Sequence, residues 1–136
     1  MGIDLSGYYQ LVSQENMEAY LAALDINIAL RKIVCLLRPD KEIIQNSNRM
    51  VIRTLTTFRN YVMDFPLDEE FEEDLSAVDG RKCRQTTVRW EGDYLVCIQN
   101  GEKANRGWKH WLEGDLLHLE MTVEGVTCKQ IFKKVK

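Results

Sequence analysis

From Lys82 onward, apolar and polar side chains alternate in short segments that are separated by turn residues. Each turn holds a glycine beside an acidic residue or an asparagine, as in Asp79-Gly80, Gly92-Asp93, Asn100-Gly101, Gly114-Asp115 and Glu124-Gly125. Glycine adopts the positive φ that tight hairpins need, and turns roughly 8–12 residues apart are typical of sandwiches and barrels. The pattern therefore predicts consecutive antiparallel strands.

Strand-like alternation extends over most of the chain. Further strands are predicted at about 6–13, 40–46, 49–56, 59–66 and 70–74. Near the C-terminus one strand face carries Leu117, Leu119, Met121 and Val123, and the other carries Leu116, His118, Glu120 and Thr122. Such a division indicates an antiparallel sheet with one face inside the protein and one face in water.

Residues 14–37 follow a different pattern, with apolar residues at helical spacing. Asp25 and Asn27 divide this segment and suit a helix break with an N-cap, and Pro39 ends the second helix. One helical hairpin is too small to cover a long sheet, but it can close the end of a barrel. We predict an all-β fold, a ten-stranded antiparallel up-and-down β-barrel (clam) with a two-helix lid, as a single domain over 1–136.

A barrel of about ten strands is too wide for its own side chains to fill, so it should hold a cavity. Three polar residues share predicted faces with apolar ones: Lys41 with Ile43, His110 with Trp108, and Gln130 with Cys128 and Phe132. Taken singly, each has an ordinary explanation as a solvated or hydrogen-bonded side chain. Together they fit an apolar pocket with a few orienting polar groups, which is typical of a small-molecule site.

Composition narrows the class of protein. The chain has 136 residues, 45% of them hydrophobic and 29% charged, and a net charge of −3. The acidic balance argues against a nucleic-acid-binding protein. We find neither an apolar run that could span a membrane nor a signal-peptide core, and we expect a cytoplasmic protein.

The four cysteines Cys35, Cys83, Cys97 and Cys128 are scattered, without a C-x-x-C pair. They indicate reduced, mostly buried thiols rather than a disulfide framework or a metal site. The opening MGIDLS matches the permissive myristoylation pattern at Gly2, but chance explains this match better.

Several segments carry a resemblance to a known family: GYYQLVSQENMEAYLAAL, RTLTTFRNYVMDF, GEKANRGWKHWLEGDLLHLEM and GVTCKQIFKKV. They resemble the intracellular lipid-binding protein family (fatty-acid-binding-protein-like), and specifically its cellular retinol-binding branch, over essentially the whole chain. GYY, VSQEN and GWKHWLEG are most similar to the type III form, which has histidine where the best-known members have glutamine. The family fold is the barrel with a helical lid.

Resemblance also indicates the kind of head group. Acid-carrying members hold a carboxylate with an Arg-x-Tyr pair on the last strand, and Gln130 and Phe132 occupy those positions here. A second carboxylate-binding arginine aligns near His110. The cationic and phenolic groups of an acid site are therefore expected to be absent, and burying an anion beside neutral groups is costly. The resemblance implies all-trans-retinol as the ligand, with no cofactor and no metal.

The resemblance assigns roles to individual residues. Lys41 would donate to the retinol oxygen, neutral His110 would accept from or donate to the hydroxyl, and Trp108 would line the pocket near the alcohol. Protonation of His110 would remove its acceptor and make affinity sensitive to pH. The remaining ligand-binding set is Thr54, Phe58, Tyr61, Met63, Leu119, Met121 and Gln130, and the portal set is Leu30, Val34, Leu37, Phe58 and Arg59.

The implied function is a monomeric, non-catalytic carrier. It would deliver retinol by transient membrane contact to a retinol-esterifying acyltransferase and to retinol dehydrogenases. Arg31, Lys32 and Arg38 could face an anionic membrane, although a solvated helix face explains them more simply. The alternatives are a fatty-acid or broader lipid carrier of the same fold, and a retinoid-processing enzyme.

The enzyme alternative has little support in the residues. His118 is assigned to the outward face, the acidic run 69–74 is assigned to a solvated strand end, and no phosphate-binding loop or nucleophile elbow occurs. The segment from Cys83 to Trp90 is one residue longer than in relatives, which suggests a β-bulge.

Overall fold

The structure is a computed structural model that describes residues 3–76 and 78–136, without the side chains of 82–84. Gly2, the residue of the acylation motif, and the Cys83 side chain lie outside the described residues. The strands are β1 Gly7–Glu15, β2 Asp40–Gln45, β3 Arg49–Leu55, β4 Tyr61–Pro66, β5 Phe71–Leu75, β6 Arg81–Glu91, β7 Tyr94–Asn100, β8 Gly107–Glu113, β9 Leu116–Val123 and β10 Val126–Lys134. The helices are α1 Met17–Ala23 and α2 Ile28–Leu36. The predicted all-β fold with a two-helix lid is confirmed.

All ten strands form one antiparallel sheet in the order β4-β3-β2-β1-β10-β9-β8-β7-β6-β5. β1 pairs with both β2 and β10, so the sheet curls until its two edges, β4 and β5, face each other. The barrel is nearly closed, and at this seam no backbone ladder joins β4 to β5, both of which the structure describes in full.

Side chains bridge the seam instead. The rings of Phe65 and Phe71 stack with centroids 5.8 Å apart, and the Tyr61 hydroxyl donates to the Glu73 carboxylate. An uncovered strand edge exposes unpaired backbone groups, so these contacts protect both edges while leaving the wall more deformable than a ladder would.

Local sequence explains the strand ends. β4 begins at Tyr61 rather than at the predicted residue 59, because the Thr56 hydroxyl accepts hydrogen bonds from the backbone N–H groups of Phe58 and Arg59 at 3.1 and 2.8 Å. These bonds hold residues 56–60 in a turn. In the β5–β6 pair, Phe71 faces Thr86 while Glu73 faces Cys83, so β6 carries one extra residue there, in agreement with the predicted bulge.

The lid contains the predicted helix break. Asn27 caps α2, with its side-chain oxygen accepting from the Leu30 N–H at 2.9 Å. Tyr20 and Leu21 of α1 are buried and pack with Leu24, Ile26, Val123 and Cys128. No residue of α2 is fully buried. The lid is therefore fastened to the barrel mainly through α1, which contacts β9 and β10.

The main core fills the barrel at the end away from the lid. Its most enclosed members include Leu5, Tyr9, Ile43, Met50, Phe65, Val88, Leu95, Leu117 and Phe132. As predicted from their alternation, Leu117, Leu119 and Val123 of β9 are buried. Two of the predicted thiols, Cys97 and Cys128, are buried and Cys35 is partly buried. The interior is thus packed at one end, which confines the open space to the other.

Candidate functional site

An internal cavity of about 230 Å³ lies between the lid and the sheet. Most of the predicted ligand-binding residues line it: Lys41, Thr54, Tyr61, Met63, Trp108, His110, Leu119, Met121 and Gln130. Val34 and Leu37 of the predicted portal line it too. The sheet therefore brings together side chains from nine strands and the lid into one largely apolar space, as a small-molecule site requires.

Lys41 and His110 form the polar centre of this cavity. The Lys41 Nζ lies 3.3 Å from the His110 Nε2, and the two residues are only 4% and 2% exposed. Lys41 comes from β2 and His110 from β8, which lie on opposite sides of the curled sheet. The curling of the sheet, rather than nearness in the sequence, brings Lys41 and His110 into contact.

Burial controls the charge of the pair. It lowers the pKa of the Lys41 ammonium to about 7, because water no longer solvates the charged form. Burial, and to a smaller degree the neighbouring Lys41 charge, lowers the pKa of His110 well below its ordinary value. His110 is therefore neutral near pH 7, and the acceptor that protonation would remove is retained.

The hydrogen-bonding roles follow from this charge state. When Lys41 is an ammonium it has donors only, so Nε2 of His110 accepts from it and the ring proton is then on Nδ1. His110 Nδ1 is buried and has no hydrogen-bond partner in the described part of the chain. The group with donors to spare for an oxygen atom in the cavity is therefore Lys41 Nζ, which His110 holds in place.

Aromatic rings surround the pair. The Trp108 and His110 rings meet edge to face with centroids 4.6 Å apart, and Lys41 Nζ lies 5.0 Å from the centre of the Phe132 ring. Sharing a face of β8, as alternation predicts, places the indole against the imidazole. The π-face of Phe132 partly compensates the buried ammonium.

Gln130 belongs to the same wall, but its side-chain amide is engaged elsewhere. Its Nε2 donates to Gln14 Oε1 at 2.7 Å, across the β1–β10 pairing. Gln130 and Gln14 therefore close the wall between these strands.

Three predicted residues, Leu30, Phe58 and Arg59, are not among those that line the cavity. Phe58 is 43% exposed in the β3–β4 turn, where its ring lies under the Arg59 guanidinium at 4.8 Å. Phe58 is therefore not part of the cavity wall in this structure, because residues 57–60 of the Thr56 turn are exposed, and its contact with the ligand stays a prediction. Leu30 packs in the helix cluster.

The sequence analysis did not identify Glu73 as a second polar group in the cavity. Glu73 is 4% exposed, and its Oε1 accepts from Gln99 Nε2 at 2.8 Å and from Thr86 Oγ1 at 3.1 Å. The assignment of the whole run 69–74 to a solvated strand end was wrong at this residue. Alternation through Phe71, Glu73 and Leu75 was the available signal, since it places Glu73 on the inner face.

The sequence analysis did not identify Arg106, a further cationic group that lines the cavity. Arg106 lines the cavity at 5% exposure, and its guanidinium donates to Asp79 Oδ2 at 2.9 Å. The Asp79 side chain is fully buried and also pairs with Arg81 at 3.2 Å. The Arg106 charge is thus balanced by a buried carboxylate rather than available to a ligand acid.

The basic residues of the lid are mostly occupied. Arg31 donates to the Ile26 carbonyl at 2.7 Å, and Arg38 donates to the Leu11 carbonyl at 3.0 Å. Lys32 is exposed. On the outside of the barrel, His118 stacks on Trp111 with centroids 5.1 Å apart, so it is not part of the cavity. No helix of the described chain is long and apolar enough to cross a membrane.

Fold and site together define a class: an antiparallel barrel with a helical lid whose interior carries a small apolar ligand. The chain is 63% identical to "Retinol-binding protein 1" of Rattus norvegicus, over 99% of both chains. Its structure is similar to "Human cRBP IV" (51% identity, 98% and 99% of the chains covered, TM-score 0.95) and to a "REP1-NXSQ fatty acid transporter" (29%, 98% and 97%, 0.90). No protein-family model matches the chain.

The chain belongs to the cellular retinol-binding proteins of the intracellular lipid-binding protein family. The names of its relatives describe binding and transport, not catalysis, in agreement with a non-enzymatic protein. The finer likeness to the type III form stays a prediction.

Proposed function

We propose that this protein is an intracellular carrier that binds all-trans-retinol in the cavity, solubilises it and delivers it to membrane retinoid enzymes. The observation that carries the proposal is the Lys41–His110 pair, buried at 3.3 Å in a largely apolar cavity whose other charged groups, Glu73 and Arg106, already have protein partners. Retinol combines a hydrocarbon body with one neutral hydroxyl, which matches a largely apolar cavity with a donor pair still able to bind an oxygen. The relatives named for retinol support the same ligand.

Affinity and selectivity have different sources in this proposal. Burial of the polyene contributes roughly 25 cal/mol per Å² removed from water, less the cost of association. The hydroxyl oxygen accepts from Lys41 Nζ, which has donors left beyond its contact with His110 Nε2. A ligand without this oxygen leaves buried donors unpaired, so the pair selects the head group more than it adds to the affinity.

An acid head group fits this interior poorly. One buried carboxylate, Glu73, already lies at the cavity wall, and Arg106, which also lines the cavity, is paired with the buried side chain of Asp79. Gln130 and Phe132 replace the charged and phenolic pair that holds a carboxylate in acid carriers. A fatty acid or retinoic acid would therefore bind as an incompletely paired anion, at a cost that retinol does not incur.

Exchange with membranes is the second half of the proposal. α2 exposes Ile28, Ile33 and Leu36, at 58, 43 and 82%, and Phe58 is exposed on the neighbouring β3–β4 turn. Apolar residues in such a position favour contact with a lipid surface, with Lys32 as a nearby cation. Since α2 is the loosely packed half of the lid, its displacement would open the portal formed with Val34, Leu37 and Arg59. A retinol-esterifying acyltransferase and retinol dehydrogenases are the expected recipients, and a cytoplasmic monomer is the expected form.

A titration tests the proposal. Retinol is added to the ligand-free protein while quenching of the three tryptophans and the retinol absorbance are followed. We expect saturation at one retinol per chain, and displacement of retinol only by a large excess of oleate or retinoic acid. Weak, non-saturable binding of retinol, or tighter binding of oleate, would contradict the proposal and favour a fatty-acid carrier.

A further inference from the structure

The loop between α1 and α2, residues 24–27, joins the lid to the barrel through ion pairs. Asp25 Oδ2 lies 2.8 Å from Arg81 Nη2, at the start of β6, and 2.8 Å from Lys103 Nζ, in the loop between β7 and β8. Lys103 Nζ also lies 3.5 Å from Glu124 Oε1, in the turn between β9 and β10. One carboxylate of the lid is therefore shared by two cations from separate parts of the barrel.

Arg81 is the centre of this cluster. Its guanidinium donates to the carbonyl of Leu24, the C-cap of α1, at 2.8 Å, and to Glu102 Oε1 at 2.6 Å. It also pairs with the buried Asp79 side chain, which in turn pairs with Arg106 of the cavity wall. The ion pairs therefore form a continuous network from the wall of the cavity to the loop of the lid.

The backbone at Asp25 is consistent with a requirement for a carboxylate at this position. Its φ is 65°, in the left-handed region that favours glycine, and it directly follows the last turn of α1, where glycine is common. Aspartate and asparagine are among the other residues that adopt this conformation most readily. The ion pairs with Arg81 and Lys103 are the interactions that glycine could not supply here.

Helix α2 is held more firmly at its ends than along its length. No residue of α2 is fully buried, whereas Leu24 and Ile26, on either side of Asp25, are buried. At the other end of the helix, Arg38 donates to the Leu11 carbonyl at 3.0 Å. A displacement of the N-terminal end of α2 lifts the loop from the barrel and so breaks the ion pairs of Asp25.

We propose that Asp25, Arg81 and Lys103 form an electrostatic latch that holds the lid closed and sets the rate at which retinol enters and leaves the cavity. The proposal rests on the carrier function and adds a kinetic control to it. The three residues are not among those that line the cavity, so the latch makes no contact that distinguishes one ligand from another. Weakening the latch should therefore speed entry and exit equally and leave the affinity unchanged.

The substitution Asp25→Asn tests the latch, because asparagine keeps the shape of the side chain and tolerates the same φ but has no charge. We expect retinol to dissociate about fivefold faster, with an affinity within about twofold of wild type, since exposed ion pairs contribute modestly even when two are lost. Asp64→Asn is the matched control. Asp64 is as exposed as Asp25, at 61%, but it pairs with Arg49 within the β3–β4 hairpin and should change neither quantity.

The dissociation rate is measured by stopped-flow transfer of retinol to an excess of neutral phosphatidylcholine vesicles, on which salt has no surface charge to screen. Raising NaCl from about 0.05 to 0.5 M should bring the wild-type rate toward that of Asp25→Asn, because salt screens exposed charges, and should change the variant little. Combining Asp25→Asn with Lys103→Gln should increase the rate by less than the product of the two single effects, because both substitutions remove one shared ion pair.

A wild-type dissociation rate in Asp25→Asn, or single effects that multiply in the double variant, would overturn the latch. Faster dissociation accompanied by an equal loss of affinity would also overturn it, because that result indicates a damaged binding site rather than a faster lid. Failure of the wild-type protein to bind retinol would instead overturn the carrier function, so the two failures are distinguishable.

Discussion

Replacing Lys41 with methionine should stabilise the ligand-free protein while weakening retinol binding. Burial moves the Lys41 pKa from 10.5 to about 7, and each pKa unit corresponds to ~1.36 kcal/mol, so the buried ammonium costs on the order of 5 kcal/mol. Methionine keeps the length of the chain and removes this cost. Two losses oppose the gain: the contact with the Phe132 ring, worth ~0.5–2 kcal/mol, and the partner of His110 Nε2, worth ~1–3 kcal/mol.

The balance at pH 7 is an increase of about 0–3.5 kcal/mol in the free energy of unfolding. The sign of the pH dependence follows from linkage. Between pH 7 and 10.5 the unfolded wild type binds more protons at Lys41 than the native protein does, so its stability rises with pH across this window. The methionine variant lacks this increase and should lose its advantage by about pH 9.5.

Urea unfolding of the ligand-free proteins at pH 7 and 9.5, followed by tryptophan fluorescence, measures both effects. Lys109→Met makes the same chemical change on the exposed face of β8 and should show neither of them. In a retinol titration the Lys41→Met variant should bind about tenfold more weakly. A variant less stable than wild type at pH 7, or a stability difference that is the same at both pH values, would refute the desolvated-ammonium argument.

Three further variants test the site and its support. His110→Gln should keep or strengthen retinol binding in a fluorescence titration, because an amide can donate and accept without titrating; complete loss of binding would contradict the role of His110. Gln130→Arg with Phe132→Tyr should move the preference toward retinoic acid in a competition assay, and an unchanged preference would show that these positions do not select the head group. Gly107→Ala should cost about 2–4 kcal/mol in urea unfolding, because its Cβ would lie 2.3 Å from the Cys97 carbonyl oxygen; a wild-type midpoint would show that β7 can shift.

The sequence by itself determined the elements and their faces. Alternation placed Trp108 with His110 and Leu117 with Leu119, and Asn27 marked the start of α2. Each of these depends on the chain's own backbone period or on a hydrogen bond within one turn, so local residues suffice. The family resemblance also supplied the ligand class and the role of Lys41 toward the ligand. It did not predict the contact between Lys41 and His110.

Tertiary structure alone decided which inward side chains meet and which remain in water. Lys41 meets His110 because β1 pairs with both of its neighbours and the sheet curls, and the β4–β5 seam is joined by side chains because that ladder is missing. Glu73 was assigned to a solvated strand end and Arg106 was not identified, because their partners, such as Gln99 and Asp79, come from other strands and loops. The energy of a buried charge depends on partners that are distant in the sequence and on the exclusion of water. Neither can be predicted from the residues that neighbour the charge in the sequence.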